Sequence, residues 1–306
     1  MQLAKAYEVA SGIYQIDTEI GPRLGSTAVY LVADRKVALI DIGPGAVVPK
    51  LVSALHQAGH DAAKLSYIIL THIHMDHAGG VGALAQLAPR AKVVAHEQGV
   101  RHLVDPSRLI AGTKVVFGEN FDKEYGPILP VPQGQVVAVK GGETFSLGTR
   151  ELKILDAQGH ASHHLNIFDT KARGLFCGEA LGRHLPGVDM VTPGSAPPVF
   201  DIEQALATVK QLRALDPAIL LYAHHGADRE VARLFDLAEK EIEAYGEIIL
   251  KGMKAGEGPA QIQARVEAYQ QTNPEWVKLG REYLATQDHD MIVPGYVGYF
   301  KKKGSA

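Results

Sequence analysis

The chain is predicted to be an α/β protein with a helical extension, and three observations carry that prediction. Short β-branched and apolar runs recur through the first two hundred residues, separated by segments of helical period. From Asp228 the pattern becomes purely helical. Imidazole and carboxylate side chains cluster directly after several of the strand-like runs.

Taken in order, Gly12–Asp17, Thr27–Ala33 and Lys36–Ile42 read as strands, and Ala33-Asp34-Arg35 is the hairpin break between the last two. A helix follows over Ala46–Ala58, then the buried strand Tyr67–Leu70, then a helix from Ala78 to Leu87 stopped by Pro89. Lys92–Ala95 resumes as a strand. Glu97–Gln133, rich in Pro, Gly and polar residues, reads as an inserted loop with short helices. Strands return at Gln135–Val139, Glu151–Asp156, Leu165–Asp169 and Gly174–Cys177, followed by helix Ile202–Leu215 and strand Ala218–Tyr222. Val231, Leu234, Phe235, Ala238, Ile242, Tyr245 and Ile249 then recur at three- and four-residue intervals, the stripe of a long amphipathic helix. Further helices are expected at Pro259–Gln271 and Glu275–Ala285. The division expected is a core over residues 1–227, with an inserted region at 97–133, and a helical extension over 228–306.

Bulk properties narrow the function classes. A chain of 306 residues, 46% of them hydrophobic, can build one large core or two modest ones. The net charge is −3, and no long basic stripe marks a nucleic-acid binder. Lys301–Lys303 reads as a solvated tail. A single cysteine, Cys177, excludes an internal disulfide and suits a reducing compartment. It sits on a buried strand and reads as a small core residue. No signal peptide and no apolar run of membrane-spanning length is present, so a soluble cytoplasmic protein with no membrane association is expected.

The chemistry concentrates at residues 71–77, Thr-His-Ile-His-Met-Asp-His, straight after Tyr67–Leu70. On an extended segment His72 and His74 share a side, and Asp76 and His77 turn into the next element. Imidazole nitrogens with an interleaved carboxylate suit a divalent cation such as zinc, iron or manganese. The spacing fits a strand-to-helix turn better than the helical zinc motif with two histidines four residues apart. Three more groups follow strand-like runs: Gly159-His160-Ala161-Ser162-His163-His164, Glu179 within Phe176–Leu181, and His224-His225-Gly226. Strand ends of this kind could converge on one edge of a β-sandwich.

Together with Leu39-Ile40-Asp41-Ile42-Gly43, these motifs resemble the metallo-β-lactamase superfamily, and within it the hydrolase branch that includes glyoxalase II. The resemblance runs from about Gly12 to Gly226. It implies an αββα sandwich with the site at the sheet edges. It further implies that His72, His74 and His160 hold one metal, that Asp76, His77 and His225 hold a second, and that Glu179 bridges them. His225 is preferred to His224 because it precedes Gly226, as the family's last ligand does. Asp41 matches an aspartate behind the metal loop, and His164 a structural histidine, while His163 replaces a small residue. Most relatives carry Asp where this chain has Glu179, whose extra methylene leaves two modes open: a bridge, or a ligand to one ion.

Two divalent ions, zinc first with iron or manganese as alternatives, would activate water and polarise a carbonyl. The activity expected is hydrolysis of a thioester, ester or lactone in a small-molecule substrate. Asp76 would carry the proton to the leaving group. Two other readings stay open on the same fold: an iron-dependent redox enzyme resembling sulfur dioxygenases, and a phosphodiesterase. Asp228–Ala285 reads either as a substrate-binding element or as a packing and homodimer element. Glu97–Gln133, with Phe117, Phe121 and Tyr125, reads either as a lid or as a surface excursion.

Overall fold

Side chains of period two on central strands, with apolar residues on both faces, need a covering layer on each side. That requirement shapes the first of two compact units in the structure. The structure is a computed structural model and describes residues 5–18, 27–185, 187–278 and 289–305. The first unit comprises Met1–Asp156, His163–Gly178 and Ala218–Arg229. The second comprises Ala157–Ser162, Glu179–Pro217 and Glu230–Ala306.

In chain order the strands are β1 (Ala6–Ala10), β2 (Ile13–Asp17), β3 (Ala28–Ala33), β4 (Val37–Ile40), β5 (Tyr67–Ile69), β6 (Lys92–His96) and β7 (Val136–Val139). These form one sheet in sequence order, antiparallel through β4 and parallel from β4 to β7. Next come β8 (Thr144–Ser146), β9 (Glu151–Asp156), β10 (Leu165–Asp169), β11 (Gly174–Gly178), the short pair β12 (Arg183–His184) and β13 (Val191–Thr192), then β14 (Ile219–Tyr222) and β15 (Ala227–Asp228). The second sheet has the order β15-β14-β11-β10-β9-β8, with β11 and β14 parallel. The helices are α1 (Val48–Gln57), α2 (Met75–Ala78), α3 (Val81–Leu87), α4 (Glu97–Val104), α5 (Ser107–Phe117), α6 (Phe121–Tyr125), α7 (Ile202–Arg213), α8 (Val231–Lys254), α9 (Pro259–Gln270) and α10 (His289–Lys303).

Alternation on β3 and β4 divides the first unit's core. Ala28, Tyr30, Val32, Ala38 and Ile40 face the second sheet and pack with Leu152, Ile154, Leu165, Ile167, Phe176 and Leu221. Val29, Leu31 and Leu39 face the other way, against Leu51 and Leu55 of α1 and Leu84 of α3. The two sheets are joined at one edge by hydrogen bonds as well as by packing. Leu165 N donates to Thr71 O at 2.7 Å, and Tyr30 Oη to Tyr222 O at 2.6 Å.

Parallel pairing is what places the functional loops. Ile40 lies opposite Ile69, so β4 and β5 leave the sheet at one edge, delivering Asp41 beside Thr71. In the second sheet Gly178 pairs with Tyr222, so β11 and β14 also exit together. Ligands bind outside the carboxyl ends of parallel strands for this reason.

In the second unit α7 to α10 accompany the β12–β13 ribbon. The apolar stripe read on α8 is buried: Leu234, Phe235, Ala238, Ile242, Tyr245 and Ile249. The expected helix Glu275–Ala285 falls largely on residues outside those described. Among the described residues, no helix is long and apolar enough to cross a membrane.

Candidate metal centre

Asp41 is where the geometry starts. It takes a left-handed φ of 56° immediately after β4, which turns its carboxylate back along the neighbouring strand. There it accepts from Thr71 N at 2.8 Å and from Thr71 Oγ1 at 2.8 Å, and it pairs with His77 Nδ1 at 3.0 Å. These contacts settle two tautomers by donor and acceptor count. His77 gives its Nδ1–H to the carboxylate, which turns Nε2 toward Asp76. The Thr71 hydroxyl, whose proton goes to Asp41, accepts from His72 Nδ1 at 3.1 Å, so His72 also presents Nε2.

The remaining side chains of the first unit close around these nitrogens. His72 Nε2 lies 3.0 Å from His74 Nδ1. Asp76, in the single turn α2, has Oδ2 3.3 Å from His77 Nε2 and 3.5 Å from His224 Nε2. Asp76, His77 and His224 offer one ligand atom each, all within 4.8 Å of one another. His77 is wholly buried, and its Nε2, 3.3 Å from Asp76 Oδ2, makes no well-aligned hydrogen bond. A buried polar atom in that state is costly unless a ligand satisfies it. Imidazole nitrogens and carboxylate oxygens converging on such an atom fit a divalent cation. Burial opposes a charge on His77, but Asp76 and Asp41 outweigh it and hold the ring's pKa well above its ordinary 6.5.

His163 and His164 stand beside the same cluster. His164 is fully buried and stacks on His72, with ring centroids 5.0 Å apart. A side chain at Gly178, which has φ of 51°, would collide with His164 Nε2 and Thr71. That collision accounts for the glycine immediately before Glu179. His163 lies parallel to His72 at 6.3 Å and edge-on to His74 at 5.7 Å, so the ring in place of a small residue does reach the cluster.

The second unit holds its own pair. His160 Nε2 lies 3.0 Å from Glu179 Oε2, and both side chains are 3% exposed. His160 Nδ1 donates to Gly194 O at 3.0 Å, which turns Nε2 toward Glu179. Glu179 Oε1 is taken by the Arg183 guanidinium, from Nε at 2.7 Å and Nη2 at 2.6 Å. A turn closed by Gly182 N to Glu179 O at 3.0 Å folds Arg183 back onto the carboxylate.

The structure thus gathers His72, His74, Asp76 and His77 in one unit and His160 with Glu179 in the other. The ring seen beside Asp76 and His77 is that of His224. His225 and Gly226 both take left-handed backbone, φ 64° and 95°, and Tyr222 N pairs with Gly226 O at 3.2 Å. His225 therefore sits in the hairpin turn, while His224 leaves β14 near the line of the strand. Arg183 and Gly194 were not singled out from the sequence, because a turn and a ribbon create their contacts rather than a periodic element.

Two other expectations are resolved. Phe121 and Tyr125, read as part of either a lid or a surface excursion, are buried with Met75, so α6 props the turn that carries Asp76 and His77. Phe117's side chain lies outside those described. Cys177 is fully buried, its thiol donates to Leu175 O at 3.2 Å, and burial pushes its pKa up. It is a core residue and no nucleophile.

The model of the metallo-beta-lactamase superfamily matches residues 21–224, two thirds of the chain, ending on His224. The metallo-beta-lactamase fold-containing protein ST1585 of Sulfurisphaera tokodaii is 31% identical over 166 residues, 53% of this chain and 61% of that one. Its crystal structure aligns with a TM-score of 0.62 over 76% of this chain and 86% of the other, at 26% identity. A hydroxyacylglutathione hydrolase of Synechococcus is 28% identical over 209 residues, 67% of this chain and 65% of that protein. In both sequence matches the aligned segment covers less than two thirds of the relative's own length. The metallo-beta-lactamase family protein TTHA1429 of Thermus thermophilus shares the fold over 97% of this chain and 95% of its own, with a TM-score of 0.72 and 20% identity.

Proposed function

Because the chain belongs to the metallo-beta-lactamase superfamily, we propose that it is a metal-dependent hydrolase acting on the acyl carbonyl of a small molecule, a thioester, ester or lactone. The observation that carries the reading is the ordered set of imidazoles: His72, His77 and His160 each give Nδ1–H to an oxygen, so Nε2 is the nitrogen each ring turns toward the other candidate ligands. Relatives named hydroxyacylglutathione hydrolase support placing acyl hydrolysis first.

We assign His72, His74 and His160 to one cation and Asp76, His77 and His224 to a second, with the Glu179 carboxylate shared. Zinc is the first choice for both. When bound, such ions supply a water nucleophile at neutral pH and Lewis acidity toward a carbonyl. The protein's part is orientation and proton movement. Asp41 and Thr71 lock two rings, and Gly194 O locks a third. Asp76 Oδ2 faces two imidazoles, so a proton accepted by this carboxylate goes to Oδ1 and from there to the leaving group.

A hydrolysis screen of the zinc-loaded protein against thioesters, lactones, aryl esters and phosphodiesters tests the proposal. Acid release from an acyl substrate, abolished by chelation and restored by zinc, is the expected result. Phosphodiester cleavage alone, or iron-dependent oxygen uptake with no hydrolysis, would overturn it.

A further inference from the structure

We infer that Arg183 is a positioning residue that restricts Glu179 to one ligand oxygen, fitting a side chain one methylene longer than aspartate to the metal centre. The inference rests on the ligand assignment proposed above. Its basis is the division of labour at the carboxylate. Both guanidinium donors, Nε at 2.7 Å and Nη2 at 2.6 Å, fall on Oε1, while Oε2 faces His160 Nε2 at 3.0 Å. Charge-assisted hydrogen bonds of this length are strong, and an oxygen that accepts two of them is a poor second ligand. A carboxylate without such a partner can bind a cation through both oxygens. Held by Arg183, Glu179 has only Oε2 to give.

The backbone makes this hold rigid. Gly182 takes φ of 72° at the end of the turn from Glu179, and a side chain there would collide with Thr192 O. Arg183 opens β12 and pairs with Thr192 of β13. Two residues past Thr192, the chain presents the Gly194 carbonyl to His160 Nδ1. One short ribbon therefore orients both ligands of the second unit, Glu179 from its first strand and His160 from just beyond its second. Arg183 is 18% exposed and Glu179 3%, so the pair is largely screened from competing water.

Zinc and cobalt(II) titrations of the full chain and of Arg183→Met, Arg183→Lys and Glu179→Asp test this. Loss of a partner that orients a metal ligand typically lowers metal affinity about 10- to 100-fold. Arg183→Met should lose zinc affinity in that range and change the cobalt(II) absorption spectrum as Glu179 recruits its second oxygen. Arg183→Lys should resemble Arg183→Met, because an ammonium cannot place two donors in the same fork. Glu179→Asp should lose affinity in the wild-type background and lose little more in Arg183→Met. Wild-type zinc affinity in Arg183→Met, or weaker zinc binding with an unchanged cobalt(II) spectrum, would overturn the inference. A wild-type chain that binds no zinc would instead defeat the ligand assignment itself.

Discussion

Asp41 orders two imidazoles at once, one by direct contact and one through the Thr71 hydroxyl. A single buried carboxylate thus decides which nitrogen each ring turns toward a ligand. It also sets a pH dependence. With Asp76 it holds the His77 pKa above 6.5, so in metal-free protein the imidazolium contributes stability that is full below about pH 6.5 and is lost as pH rises through the raised folded value. The melting temperature of chelated wild type, taken relative to His77→Gln, should therefore fall as pH rises over that window. A cation must displace the same proton, so zinc affinity should climb over the same interval. A wild-type advantage that grows with pH in the metal-free state would contradict this account. Asp76 makes a separate prediction: Asp76→Ala should lose at least about 100-fold in turnover with the far-ultraviolet circular dichroism unchanged. Wild-type turnover in that variant would remove Asp76 from proton transfer.

At the scale of elements, the C-terminal helix α10 bears on the ligands through the loop at Gly194. Ser195 Oγ donates to Ile292 O at 3.4 Å, and a methyl added to Gly295 would run into the Ser195 carbonyl oxygen. Glycine to alanine inside a helix ordinarily stabilises by about 1 kcal/mol. Here the clash reverses the sign, and Gly295→Ala should cost about 1–3 kcal/mol by thermal or urea unfolding. A gain in stability would show that α10 does not press on Ser195. This helix was not legible in the sequence, because Pro294, Gly295 and Gly298 break the helical signal that Ile292, Val293 and Tyr296 carry. Strands β1 and β8 escaped notice for a different reason: they lie at sheet edges and bury little, so no alternating stripe marks them. The central strands, with their doubly buried β-branched runs, were plain. So was α8, whose buried stripe follows the spacing of its apolar residues. Helices α4 to α6 read only as short helices in an inserted loop, without bounds, because Pro106, Gly118 and Gly126 punctuate them.

For the whole molecule, the motifs at strand ends were informative because parallel pairing brings strand exits to one edge, a rule that needs no coordinates. The direction each of the two adjacent histidines takes lies beyond that rule, since it depends on where a hairpin places its left-handed residues. The arginine behind Glu179 was equally hidden, because four residues of separation mean contact on a helix but nothing in particular through a turn into a strand. As proposed, the chain holds two cations, with His224 as the last ligand. Elemental analysis of zinc per chain after loading and gel filtration tests it most directly, comparing wild type, His224→Ala and His225→Ala. The account predicts two zinc ions in wild type and in His225→Ala, and one in His224→Ala. Wild-type protein that retains no zinc, or a loss confined to His225→Ala, would contradict it.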